Sequence, residues 1–147
     1  VSRLLGIDHG LKRIGLAMSD ASGLVARELL VIHRTTNVED FARINRVAAE
    51  QRAEGIVVGI PLNDSISPSV YSQADTVRHW VERFGATTTL PITLWDEQYS
   101  SADAREIAIR QRRKPRDPID DLAARVMLQS YLDAIRDGFV QPPTTQE

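Results

Sequence analysis

Gly6-Ile7-Asp8-His9-Gly10-Leu11-Lys12-Arg13-Ile14-Gly15-Leu16-Ala17-Met18-Ser19-Asp20 is the stretch that decides how this chain folds. The apolar run Leu4-Leu5-Gly6-Ile7 ends on a carboxylate, Asp8. Gly10 and the basic pair Lys12-Arg13 follow, and a second apolar run extends from Ile14 to Met18. The pattern reads as a strand, a tight turn and a returning strand, with an acid displayed in the middle of a sheet. A carboxylate at a strand end is costly to bury unless something cationic meets it. Asp8 is therefore a candidate for chemistry; the plainer alternative is that it satisfies the turn amides.

Working outward, Leu24 to His33 reads as a third strand. A helical pattern follows Asn37 through Phe41, Ile44, Val47 and Ala48, and Gly55 breaks it. Ile56-Val57-Val58-Gly59-Ile60 is β-branched with no polar alternation, as expected of a parallel strand covered on both faces. Residues 61–70 read as a loop. Val70, Ala74, Val77, Trp80, Val81 and Phe84 recur at helical spacing up to Gly85. Pro91 to Trp95 is a short strand running into Asp96-Glu97, and a helix extends to about Arg113. Lys114 to Pro118 holds two prolines and reads as a stiff basic linker. A last helix spans Asp120 to about Arg136, stopped by Gly138. Three antiparallel strands followed by alternating helix and strand predict an α/β fold: a ribonuclease-H-like mixed five-stranded sheet flanked by helices. One ribonuclease-H-like nuclease domain is expected over 1–138, with a flexible C-terminal tail over 139–147.

A chain of 147 residues with 42% hydrophobic and 26% charged residues suits one globular domain. It has no cysteine, which excludes disulfides and thiolate metal sites. No apolar run is long enough to span a bilayer, and the chain enters its first strand at once, so no signal peptide is expected and a cytoplasmic location is. The net charge of −2 gives no bulk attraction to nucleic acid. Distribution matters more: Arg110, Arg112, Arg113, Lys114 and Arg116 put five cations within seven positions. They suit either a phosphate backbone or a solvated helix end.

Acids gather at comparable places: Asp8 on the first strand, Asp96-Glu97 at the end of the last strand, Asp120-Asp121 at the start of the last helix. Ligands of an open α/β sheet collect outside the strand carboxyl ends. Phosphodiester hydrolysis develops negative charge that two divalent cations, roughly 3.5–4 Å apart, can offset. Mg²⁺ takes hard oxygen ligands and needs few carboxylates. Strand alternation allows only one of Asp96 and Glu97 to face such a site, unless the strand has already ended. Periodicity barely separates Asp120 from Asp121, and either could cap the helix. His9 reads as a hairpin surface residue, and Trp80 and Trp95 as core.

Four motifs in order resemble the YqgF (RuvX) family of ribonuclease-H-like proteins, whose members are described as pre-16S rRNA nucleases and as Holliday junction resolvases. They are Gly6 to Gly15, Val57-Val58-Gly59-Ile60-Pro61-Leu62-Asn63, Leu94-Trp95-Asp96-Glu97, and Ile119-Asp120-Asp121-Leu122-Ala123-Ala124 running into Leu128-Gln129-Ser130-Tyr131-Leu132. The resemblance implies that Asp8, Glu97 and Asp120 are the catalytic, metal-holding acids, with Mg²⁺ or Mn²⁺ as cofactor. It also implies nucleic-acid contacts from Lys12, Arg13 and Asn63. Leu11 stands where the family commonly has threonine, and Gln98 where it has arginine; neither departure touches the three acids.

The expected function is a metal-dependent endonuclease acting on structured RNA, at the 5′ end of precursor 16S ribosomal RNA. Arg110, Arg112, Arg113, Lys114 and Arg116 would join in holding that substrate. A resolvase of four-way DNA junctions is the nearest alternative and would need a symmetric homodimer rather than a monomer. A non-catalytic nucleic-acid-binding module is a second alternative. An actin-like ATPase opens on a similar motif but needs two such subdomains and further nucleotide loops.

Overall fold

The computed structural model describes residues 3–61, 73–97 and 100–141. Its elements are β1 (Leu4–His9), β2 (Arg13–Ser19), β3 (Ala26–His33), α1 (Asn37–Glu50), β4 (Gly55–Ile60), α2 (Gln73–Gly85), β5 (Ile92–Asp96), α3 (Ser100–Arg110) and α4 (Asp120–Arg136). The strands form one sheet in the order β3-β2-β1-β4-β5. β1, β2 and β3 pair antiparallel, while β1 with β4 and β4 with β5 pair parallel. The ribonuclease-H-like mixed sheet expected from the element order is the sheet observed. β1 lies at its centre, so the residues at its end are framed by strands on both sides.

Alternation along the strands sorts the core into two layers. Leu5, Ile7, Ile56, Val58 and Ile60 pack with Phe41 and Ile44 of α1 and with Val77, Trp80 and Phe84 of α2. Leu4, Ala17 and Val57 face the other way, onto Ala124, Met127, Leu128, Tyr131 and Leu132 of α4. Ala104 and Ala108 of α3 close against Leu122 and Ala123 of α4. β4 is buried along its whole length, which explains a sequence without polar alternation.

Helix ends differ slightly from the sequence reading. α1 closes before Gly55: Arg52 takes a left-handed φ of 56°, and Ala53 N–H donates to Ala48 O at 2.9 Å. α3 stops at Arg110 rather than Arg113 because Arg112 takes a φ of 59° and Arg113 N–H donates back to Ala108 O at 2.9 Å. Gly138, with φ 80°, ends α4 as expected; its N–H donates to Ile135 O and that of Phe139 to Ala134 O, the paired closure of a Schellman motif. Val140 packs against the α4-side core, and Tyr131 donates its hydroxyl to Gln141 O. Residues 142–147 of the expected tail lie outside the described residues. No described helix is long and apolar enough to cross a membrane.

Candidate active site

A row across the sheet builds the site. Asp8 of β1 is paired with Gly15 of β2 on one side and with Gly59 of β4 on the other. All three belong to the α4 face. A Cβ on Gly15 would overlap the carbonyl of Asp120, so the missing side chain is what lets the first turn of α4 descend onto the sheet. A Cβ on Gly59 would sit 3.0 Å from Glu97 Oε2 and 3.1 Å from Met127 Cγ. The two glycines clear the ground on either side of Asp8, and Asp120 and Glu97 occupy it.

β5 delivers Glu97. Its N–H donates to Ile60 O at 3.1 Å, prolonging the β4–β5 ladder by one residue. Trp95 stacks edge-on against Tyr131 of α4, so Glu97, two positions on, returns to that same face. Asp8 and Glu97 share a side-chain hydrogen bond. Burial pushes Asp8 well above the usual carboxylate range, and the charge of Glu97 and then of Asp120 adds to the effect. Glu97 is raised as well, chiefly by burial. Two acids in contact and both raised by burial resist carrying full charge together.

Asp120 opens α4 but does not cap it. The residue at the cap position is Ile119, with no side-chain cap bond. The Asp120 carboxylate instead accepts from Arg13 Nε at 2.9 Å. Among the described residues no three acid or imidazole side chains stand close enough to hold a metal ion as they are. The donor chemistry nonetheless fits one: two half-buried carboxylates in contact are hard oxygen ligands, and Mg²⁺ is commonly held by one or two of them. Asp121, the alternative to Asp120, is buried away from this row and held by Arg113 Nη1 and Nη2 at 2.9 and 3.1 Å.

The basic residues separate into different tasks. Arg113 is committed to Asp121 and to Pro118 O, with Glu28 3.8 Å away. Arg110 pairs with Glu106 on its own helix at 2.8 Å. Arg112 is the exposed residue that turns the end of α3. Lys114 and Arg116 are exposed and line a groove of about 700 Å³ with Arg13, Arg105 and Asp120. Sequence reasoning missed Arg105, although it lies four residues before Ile109, on the same face of α3. Lys12 is exposed at the hairpin. Asn63 and Gln98 lie outside the described residues. Leu11, 77% exposed, helps line an opening of about 200 Å³ that also reaches His9, Pro61 and Glu97.

His9 departs from its expected surface position. It points to the α1–α2 face, its ring centroid 4.8 Å from that of Trp80, and its Nε2 lies 3.2 Å from Arg34 Nη1. Burial, and then the Arg34 charge, lower its pKa to about 4. Trp80 is buried as core, as expected.

A family model described as RuvX, Holliday junction resolvase, matches residues 2–134. The chain belongs to the RuvX family. A relative from Thermoanaerobacter pseudethanolicus named "Putative pre-16S rRNA nuclease" is 38% identical to this RuvX-family chain over 138 residues, 90% of the chain and 96% of the relative. One of the same name from Myxococcus xanthus is 34% identical over 146 residues, 97% of the chain and 92% of the relative. Among solved structures, RuvC of T. thermophilus in complex with a Holliday junction substrate superposes with a TM-score of 0.63 at 18% identity, covering 93% of this chain and 97% of that one. At that identity the likeness concerns the fold, and it agrees with the RuvX sheet described above.

Proposed function

We propose that this chain is a divalent-metal-dependent nuclease that hydrolyses phosphodiester bonds in structured RNA, acting in the cytoplasm on the 5′ end of precursor 16S ribosomal RNA. The reading rests first on the glycine-cleared row that sets Asp8 against Glu97, beside Asp120. The name shared by its relatives supplies the substrate.

Asp8 and Glu97 would hold Mg²⁺ or Mn²⁺, and Asp120 would join them once Arg13 turns elsewhere. A cation there activates water and offsets charge on the phosphoryl and leaving oxygens. Both carboxylates would have to be ionised to serve as ligands. Arg13, Arg105, Lys114 and Arg116 line the groove beside Asp120 and hold the backbone there. Lys12 approaches from the hairpin, and Asn63 keeps its assignment as a substrate contact on motif resemblance. Arg113 lines the same groove but is tied to Asp121, and Arg110 pairs with Glu106, so both serve the fold more than the substrate, while the exposed Arg112 keeps its assignment as a substrate contact.

Purified protein incubated with precursor 16S rRNA and Mg²⁺ should cleave it, and Asp8→Asn should not. The family description favours a second reading, cleavage of four-way DNA junctions by a homodimer. A parallel assay on such a junction, with the oligomeric state measured by sedimentation, separates the two. Binding of either substrate without cleavage would favour a non-catalytic module.

A further inference from the structure

The end of β1 has two chemically distinct sides. Asp8 faces α4 and the acids; His9, the next residue, faces α1 and α2. Beyond His9 lies a cleft of about 200 Å³, walled by Arg34, Asn37, His79, Trp80 and Arg83. His9 also borders the opening that contains Glu97, so cleft and acids are joined across the carboxyl edge of the sheet.

The walls are rich in donors. Arg34 is held firmly: Nε donates to the fully buried Asp40 at 3.4 Å, Nη1 to Gly10 O at 3.1 Å and Nη2 to Asn37 Oδ1 at 2.9 Å. Asp40 balances that guanidinium. Arg83 and His79 are exposed, and Arg83 has no ion-pair partner among the described residues. Trp80 is 4% exposed, and its indole N–H is the one buried side-chain polar atom without a hydrogen-bond partner among them. Two guanidiniums and two imidazoles, from Arg34, Arg83, His9 and His79, line the cleft, a donor-rich surface that suits a phosphate oxygen. Nothing in the cleavage chemistry at Asp8 uses these residues.

We infer that the cleft between α1 and α2 binds a backbone phosphate of the substrate strand after it has crossed the sheet edge. This rests on the nuclease reading above. The strand then runs from the Lys114–Arg116 groove, over Asp120, Asp8 and Glu97, past His9 and into the cleft at Arg83. Each side of the cut has its own cationic anchor, and the phosphate between them is stretched over the acids.

Binding of a fluorescein-labelled hairpin carrying the 5′ extension of precursor 16S rRNA tests this, read by anisotropy across a KCl series in the non-cleaving Asp8→Asn protein. Adding Arg83→Ala should lower affinity several-fold and make the slope of log K against log[salt] shallower by about one, the signature of one lost phosphate contact. Arg46→Ala, an equal loss of charge on the exposed side of α1, should leave the slope unchanged. Equal effects from the two substitutions, or none from Arg83→Ala, overturn the cleft. Calorimetry with inorganic phosphate adds an arm: phosphate binding abolished by Arg83→Ala, with the RNA slope unchanged, would make this a free-anion site and overturn the strand path. Failure of Asp8→Asn to bind the hairpin at all, with no cleavage by the unaltered protein, would remove the nuclease reading and this one with it.

Discussion

Arg13 Nε donates to Asp120 Oδ2 at 2.9 Å, tying the start of β2 to the first residue of α4 across 107 positions of sequence. The pair is partly exposed, so it contributes only ~0.5–1 kcal/mol to stability. Its larger effect is competition, since a carboxylate that accepts from a guanidinium is less available to a cation. Arg13→Gln should therefore raise the Mn²⁺ affinity of the nucleic-acid-free protein several-fold while weakening RNA binding. Titration calorimetry reads the first and anisotropy the second; unchanged or weaker Mn²⁺ binding would take Asp120 out of the ligand set.

Asp8→Asn should abolish metal-dependent cleavage, a loss of roughly 1000-fold or more if several kcal/mol of charge stabilisation disappear. The same substitution should stabilise the metal-free protein at neutral pH. Folding raises the Asp8 pKa above its ordinary 3.8, so the folded state binds the proton more tightly. That contribution is complete below the unfolded value and is lost as pH rises through the folded one. Thermal melts in EDTA from acid to neutral pH should show this loss in the unaltered protein and a flatter profile in the variant.

His9 should act with the opposite sign. Its pKa falls from 6.5 to about 4 on folding, so its contribution is complete above 6.5 and is lost as pH falls through about 4. His9→Gln, again in EDTA, should flatten the acid side of the stability profile; an unaltered acid limb would mean the imidazole is solvated.

The two glycines beside Asp8 should fail differently. Gly15→Ala drives a methyl into the backbone of Asp120, and α4 has to move, at a cost of ~3 kcal/mol or more. Gly59→Ala meets the flexible Glu97 side chain at 3.0 Å, so the fold survives with a smaller loss. Displacing that carboxylate by about 1 Å should still cost roughly 100-fold in rate. Urea denaturation alongside cleavage rates separates the two, and a Gly59→Ala protein of normal activity would show that the placement of Glu97 is not critical.

Arg113→Ala should destabilise the fold by about 2 kcal/mol, because Asp121 is left buried without its partner. Lys114→Ala and Arg116→Ala should change stability by under ~0.5 kcal/mol and weaken RNA binding instead. A stable Arg113→Ala protein that binds RNA poorly would restore Arg113 to the substrate surface.

Element order was legible because each pattern is local: the β1–β2 hairpin, the unbroken apolar β4 and the helical spacing of α2 and α4 are all read within a dozen residues. The acids were legible as positions but not as a choice. Spacing could not separate Glu97 from Asp96, since it does not say that Trp95 packs on Tyr131; resemblance to the family supplied the preference. Asp121 was inseparable from Asp120 because Arg113, its partner, reaches it through the turn that Arg112 makes. The basic run looked like one patch in sequence. Helical rotation and the left-handed turn at Arg112 spread it over several surfaces, leaving Lys114 and Arg116 at the groove beside an Arg113 that is tied to Asp121. His9 was misread because nothing local announces that Trp80 and Arg34 will cover it.

The alternation at the end of β1 carries a consequence for how this chain can vary in length. Deleting or inserting a single residue between Leu4 and Asp8, with the start of β1 held in place, would shift the register of the rest by one and exchange its two faces. The carboxylate would then enter the aromatic layer beside Trp80, and the imidazole would take its place opposite Glu97. Odd and even positions along six residues therefore keep the Asp8 carboxylate and the His9 imidazole on opposite sides of one backbone.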